Sequence, residues 1–182
     1  MPSNLSPNDA GTLYQALQAG PLAGSPITAL RIGAGHSSIA SGTQPQARVL
    51  RTLDVGYYAT AAACFRHDPP AESELEHAIQ VVEDAVMPVH AVLLPGTTLY
   101  TADSGIRQVA LAAGIEAQPE MALPLDAVER TFQRLAAVSL GRPPAQEGLP
   151  EGTAFAATLL ILRECMQHLG FDRIVIRSDT VV

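Results

Sequence analysis

Leu30-Arg31-Ile32-Gly33-Ala34-Gly35-His36-Ser37-Ser38-Ile39 is the stretch whose residue types and spacing best suit chemistry. Two glycines bracket one alanine, and a histidine and two serines follow. A turn this poor in side chains lets a phosphate approach backbone N–H groups, and the Ser37 and Ser38 hydroxyls would add hydrogen bonds. Arg31 and His36 could hold an anion there without a metal. The same residues also make a tight hairpin between two strands, with Arg31 in solvent or paired with an acid. The helix-opening dinucleotide fingerprint is not met. No third glycine follows at the required offset, and Ile39-Ala40 reads as strand.

Val92-Leu93-Leu94-Pro95-Gly96-Thr97-Thr98 is a second candidate, an apolar run entering a Gly-Thr turn. Gly96 and Thr97 either contribute to a phosphate site or cap a helix. Ser37, His36 and Asp54 have the residue types of a triad, but adjacency in sequence does not give triad geometry. His36, His67, His77, His90 and His168 show no metal-ligand spacing, so no metal site is assigned. Asp68-Pro69-Pro70 is a turn without evident chemistry. No residue is assigned a catalytic role.

The 182 residues suffice for one domain with a substantial core. With 47% hydrophobic and 16% charged residues, the chain belongs among globular proteins. The formal net charge is −7 and there is no lysine, which argues against nucleic acid or an anionic membrane as partner. Polyphosphate would also need a positive channel, so any anion site is local. Cys64 and Cys165 lie in apolar runs and read as buried free thiols. No leader pattern and no apolar run of transmembrane length occurs, so the expected location is the cytoplasm.

The elements that must position these residues follow from periodicity and punctuation. Ser6 caps and Pro7 opens a first helix that reaches about Ala19, where Gly20-Pro21 stops it. Strands are expected at Ile27–Ile32, Ser37–Ser41 and Arg48–Val55, a meander turned at Gly42-Thr43-Gln44-Pro45. Tyr57–Phe65 is helix or loop. Leu75, Ile79, Val82 and Val86 recur at helical spacing in Glu72–Val86, and Pro88 ends that helix. His90–Leu94 reads as a buried strand, and Leu99–Ala113 as a helix closed by Gly114. Pro124 opens a helix through Leu135, Leu140–Gly152 is a loop, Thr153–His168 is the longest helix, and Phe171–Arg177 is a last strand. The β-β-β-α-β-α-α-β order implies an α/β domain of ribonuclease H-like kind.

In order and spacing these motifs resemble the second domain of the exopolyphosphatase/guanosine-pentaphosphate phosphatase (Ppx/GppA) family, of the sugar kinase/actin superfamily. The family's phosphate loop, D-I-G-G-G-S-T-E, corresponds to Arg31–Ser38. Its "f..dpp" turn corresponds to Phe65–Pro70, its "GT" turn to Gly96-Thr97 and its "i.vs..glreG" ending to Ile174–Asp179. The resemblance spans roughly residues 3 to 179. It implies a single second-lobe domain over 1–182, with candidate phosphate contacts at Gly33, Ala34, Gly35, His36, Ser37, Ser38, Gly96 and Thr97, and an anion contact at Arg31. The family's active site lies between two lobes, and the first takes more than ~100 residues. Only about 25 precede the loop strand here, so that lobe is expected to be missing.

The loop also departs from the pattern. Arg31 stands where the family has its leading aspartate, Ala34 the middle glycine, His36 the serine and Ser38 the glutamate. An arginine in place of an acid reverses the charge where a metal would sit. The family's late "R-a-d" falls near Gly152 and Ala154. Three readings follow. The first is a non-catalytic module binding a phosphate-containing small molecule, a nucleotide or a protein. The second is a phosphatase acting on polyphosphate or guanosine pentaphosphate, with Mg²⁺, whose site is completed by dimerisation or a partner lobe. The third is a purely structural domain. In each, a second copy or a partner protein is expected to cover the face that meets the first lobe.

Overall fold

A computed structural model describes residues 9–178. Helix α1 (Ala10–Gln18) precedes strands β1 (Ile27–Ile32), β2 (Ser37–Gly42) and β3 (Val49–Leu53). Then come α2 (Tyr57–Cys64), α3 (Glu72–His90), β4 (Thr98–Thr101), α4 (Ser104–Ala112) and β5 (Glu120–Pro124). The last elements are α5 (Leu125–Ser139), the single turn α6 (Pro144–Glu147), α7 (Thr153–Leu169) and β6 (Arg173–Arg177). The six strands form one mixed sheet in the order β3-β2-β1-β4-β6-β5. The expected meander is present: β1, β2 and β3 pair antiparallel, Ile32 opposite Ser37 and Ser37 opposite Leu53. Strands β1, β4 and β6 run parallel, and β5 returns antiparallel at the edge.

Helix α7 is the centre of the packing, with 12 of its 17 residues buried. Leu159, Leu160, Ile161 and Leu162 are fully enclosed, and each such side chain contributes about 1.5–3 kcal/mol. They belong to the main core, which also takes residues of α2–α5 and of the sheet. A smaller core lies under α1, where Ala10, Tyr14 and Leu17 meet Ile27, Ala29 and Ala40. Its cap is Asp9, whose carboxylate accepts from the Thr12 N–H at 2.9 Å. The Ser6-Pro7 start expected for this helix lies outside the described residues. No helix among the described residues is long and apolar enough to cross a membrane.

Four expectations are corrected. Pro88 lies inside α3 instead of ending it. The lost N–H falls in the last turn, and buried Val86 and Val89 hold the helix on to His90. His90–Leu94 is accordingly the end of α3 and a turn, with the Val92 N–H bonded to the Val89 carbonyl at 3.1 Å. The strand comes later, as β4, within the segment read as helix from Leu99. Alternating burial at Thr98–Thr101 fits a period of two, and the helix starts only at Ser104. Strand β5 is an addition to the expected order. Met121 and Leu123 point inward from an edge strand that ends on Pro124, where a missing donor costs nothing. Tyr57–Cys64 is helical, and the Leu140–Gly152 loop contains α6.

The loop before α3 hangs on Glu74. Its carboxylate accepts from the Ala71 N–H and the Arg66 N–H, each at 2.9 Å, and meets His67 Nδ1 at 2.9 Å. The Ala71 N–H leads in holding this carboxyl down at about 2, against some opposition from desolvation. A depressed folded pKa contributes stability above the ordinary carboxyl range and loses it as pH falls toward 2. Glu74→Gln is therefore expected to lower the melting temperature at pH 7. The gap from wild type should close progressively between about pH 4.5 and pH 2 in thermal unfolding followed across pH.

Candidate functional site

A cleft of about 800 Å³ opens at the carboxyl ends of β1 and β4. The chain leaves these adjacent parallel strands in opposite directions, toward β2 on one side and toward β6 on the other. In open α/β sheets such a switch point is where ligands bind. One wall is the β1–β2 connection, Gly33–His36. The other is the start of α4, Ala102–Ile106, with Thr158 of α7 behind it.

The β1–β2 connection is a tight hairpin, closed by the Gly33 N–H on the His36 carbonyl at 2.9 Å. Its carbonyls point at α2. Gly33 O accepts from Tyr57 N–H, and Ala34 O accepts from both Tyr58 N–H and Ala59 N–H. These are first-turn donors that a helix otherwise leaves unsatisfied. The fit requires two glycines. A Cβ on Gly33 would lie 2.6 Å from the His36 carbonyl oxygen, and one on Gly56 would lie 2.4 Å from the Ala34 oxygen. Gly35 differs, since a Cβ there meets nothing within 4 Å. The Ala34 and Gly35 N–H groups donate to no group among the described residues.

The serines are already engaged. Ser37 is buried and its hydroxyl donates to the Val55 carbonyl at 2.7 Å, while Ser38 Oγ accepts from the Ala10 N–H at 2.9 Å. His36 is exposed at the lip, 3.9 Å from the exposed Asp54 carboxylate. With Ser37 Oγ committed to Val55, the three residues do not form a triad. Gly96 and Thr97 are not in this cleft. They precede β4, and Thr98 pairs with Ile27 at the opposite end of β1 from the hairpin. Five strand residues, about 16 Å, separate the two places. Thr97 Oγ1 instead meets Thr28 Oγ1 at 2.7 Å.

Arg31 is paired with an acid. Its Nη1 lies 2.7 Å from Oδ1 of Asp103, and Asp103 Oδ2 accepts from the Ile32 N–H at 2.6 Å. Asp103 is 7% exposed, and burying a carboxylate is costly unless it is paired and hydrogen-bonded. It precedes α4 but turns its side chain to β1, so among the described residues no side-chain cap closes that helix. The first-turn N–H groups of Ser104, Gly105 and Ile106 therefore lie uncapped at the cleft wall. The charged lining is Arg31 against Asp9 and Asp103.

No family model and no curated protein matches the chain. Solved structures do. The Aquifex aeolicus PPX-GPPA enzyme aligns with a TM-score of 0.73 at 16% identity, covering 96% of this chain and 60% of that one. An exopolyphosphatase from Cytophaga hutchinsonii aligns with a TM-score of 0.66 at 15% identity, covering 91% and 57%. An exopolyphosphatase-like protein aligns at 0.65 with 13% identity, covering 92% and 63%. The chain has the fold of Ppx/GppA structures. It spans about three fifths of the length of the solved structures it matches.

Asp103, Ser104, Gly105 and Thr158 were not legible as site residues. Thr101-Ala102-Asp103-Ser104-Gly105 carries the signal of a strand ending in a capping residue and a small turn. Reading Leu99–Ala113 as one helix hides it. The geometry orders three glycine substitutions. Gly33→Ala and Gly56→Ala are expected to cost about 2 kcal/mol or more in urea unfolding, and Gly35→Ala less than about 0.5 kcal/mol. Arg31→Ala leaves Asp103 buried without this cation and is expected to cost about 3 kcal/mol. An Arg31→Ala midpoint equal to wild type would refute the clamp.

Proposed function

We propose that the cleft binds a small phosphate-bearing molecule and does not hydrolyse it by itself. One observation carries this reading. The lining places open N–H groups of the hairpin and of α4 beside Arg31, while its two carboxylates are committed to the fold. Asp9 caps α1, and Asp103 is held by Arg31 and the Ile32 N–H. Backbone N–H groups in a concavity and a helix N-terminus attract an anion without metal.

Mg²⁺ does not fit these residues well. It takes near-octahedral oxygen ligands at ~2.0–2.1 Å and usually keeps one or two carboxylates of its own. Asp103 lies against the Arg31 guanidinium, whose positive charge opposes a cation at this place. The lining also argues for a small ligand over a polyphosphate chain, since its two carboxylates outnumber its one arginine. A β3-β2-β1-β4 run with β2 antiparallel supports placing the domain in the ribonuclease H-like, actin-related superfamily.

A second reading rests on coverage. The matched structures are longer than the matched region by about two fifths of their own length, which supports a phosphatase site completed by dimerisation or by a partner supplying the other lobe. Thermal unfolding with phosphate, ATP, guanosine tetraphosphate and polyphosphate, each with and without Mg²⁺, separates the readings. Binding in the cleft is expected to raise the melting temperature by several degrees at about 100 times the dissociation constant, independently of Mg²⁺. Gly35→Val should fold and abolish the shift by filling the cradle. Mg²⁺-dependent phosphate release by the purified chain would overturn the non-catalytic reading. No shift with any compound would overturn phosphate binding.

A further inference from the structure

Away from the cleft, α3 and α7 bring three metal-ligating side chains together. Glu83, Glu164 and His168 each offer one ligand atom, and these atoms lie within 4.8 Å of one another. Glu164 and His168 are one helical turn apart on α7, with His168 Nε2 2.9 Å from Glu164 Oε2. Glu83 comes from the facing helix. We propose that Glu83, Glu164 and His168 form a divalent-cation site of the Zn²⁺ class in the seam between α3 and α7.

Exposed acidic groups often cluster without a ligand, but this cluster is not exposed. Glu164 is 1% exposed and Glu83 is half-buried. No hydrogen bond or ion pair among the described residues reaches the Glu83 carboxylate, so it faces a second, buried carboxylate uncompensated. The charged neighbours do not cancel the pair. Arg163 Nη1 holds Glu164 Oε1 at 2.8 Å, but Arg163 Nε is turned to both oxygens of Glu129 on α5 at 3.1 Å. Its guanidinium also stacks on the Phe132 ring at 4.3 Å, and Gln167 donates to Glu129. Three carboxylates thus face one guanidinium and one imidazole. A divalent cation supplies what is missing.

The donor set selects the metal class. One imidazole and two carboxylates suit Zn²⁺ at ~2.0–2.2 Å, with a fourth position for water, better than Mg²⁺ or Ca²⁺, which take oxygen ligands. Glu164 Oε1 on Arg163 is an outer partner that orients the ligating oxygen. Thr158 at the cleft and His168 are ten residues apart on α7, about 15 Å. The site is therefore separate from the proposed phosphate cleft, and each can fail without the other.

The test is isothermal titration of the full, chelator-treated chain with ZnCl₂ and with MgCl₂, together with thermal unfolding. One Zn²⁺ per chain is expected, with a melting temperature raised by about 5–10 °C at 100 times the dissociation constant, and no comparable Mg²⁺ effect. Glu83→Gln and His168→Gln should each weaken Zn²⁺ at least tenfold while leaving the metal-free melting temperature within a few degrees. His77→Gln should leave the affinity unchanged, which separates this site from adventitious imidazole binding. If His168→Gln fails to fold, Glu83→Gln alone decides. Absence of stoichiometric Zn²⁺ binding, or binding that Glu83→Gln leaves intact, overturns the proposal.

Discussion

The cleft depends on the carboxylate of Asp103. Parallel pairing between β1 and β4 lasts only from Ile27 to Ala29 against Thr98 to Tyr100. Beyond it the strands part, and the Ile32 N–H would be left without a partner. Asp103 reaches back from the start of α4 to accept it and meets Arg31 at the same time. One side chain thus replaces the missing rung of the ladder and fixes how far α4 stands from the hairpin. Arg31 supplies the charge that lets this carboxylate stay buried.

That arrangement trades one capability for another. A carboxylate committed to a backbone donor and a guanidinium holds a wall in place. Because Asp103 turns toward β1, α4 lacks a side-chain cap and leaves its first-turn N–H groups at the cleft. The opposite wall behaves differently. There the hairpin carbonyls of Gly33 and Ala34 are used up in capping α2, which rigidifies the turn while its N–H side remains open. The cleft is walled on both sides by helix starts, one capped by backbone and one uncapped.

Much of this was legible in the sequence, for identifiable reasons. Ile27–Ile32 and Ser37–Gly42 alternate or run apolar between clear turn residues, and their bounds read almost residue for residue. Helix α7 has a long apolar stripe and a glycine in the left-handed region, Gly170, at its end. The segment between Pro88 and Pro124 did not yield. Local signals there conflict with packing: a proline sits inside a helix that buried valines hold together, and the four-residue strand β4 is too short to declare its period. Misplacing β4 carried Gly96 and Thr97 toward the site and hid Asp103. The Glu83–Glu164–His168 cluster was invisible for another reason. The i, i+4 spacing of Glu164 and His168 is common on helices, and only the crossing of α3 over α7 adds the third donor.

Charge finally decides what such a cleft can hold. In a chain without lysine and with a formal net charge of −7, a polyanion would meet repulsion along most of its length. The proposed ligand is a single phosphate group, because N–H dipoles act within the first turn and Arg31 acts within its own reach. Both fall off quickly with distance, and Asp103 already lies against the Arg31 guanidinium at 2.7 Å. The chain keeps the fold of Ppx/GppA structures. On the proposed reading, backbone N–H groups favour a compact anion there, and the two carboxylates of the lining oppose a long one.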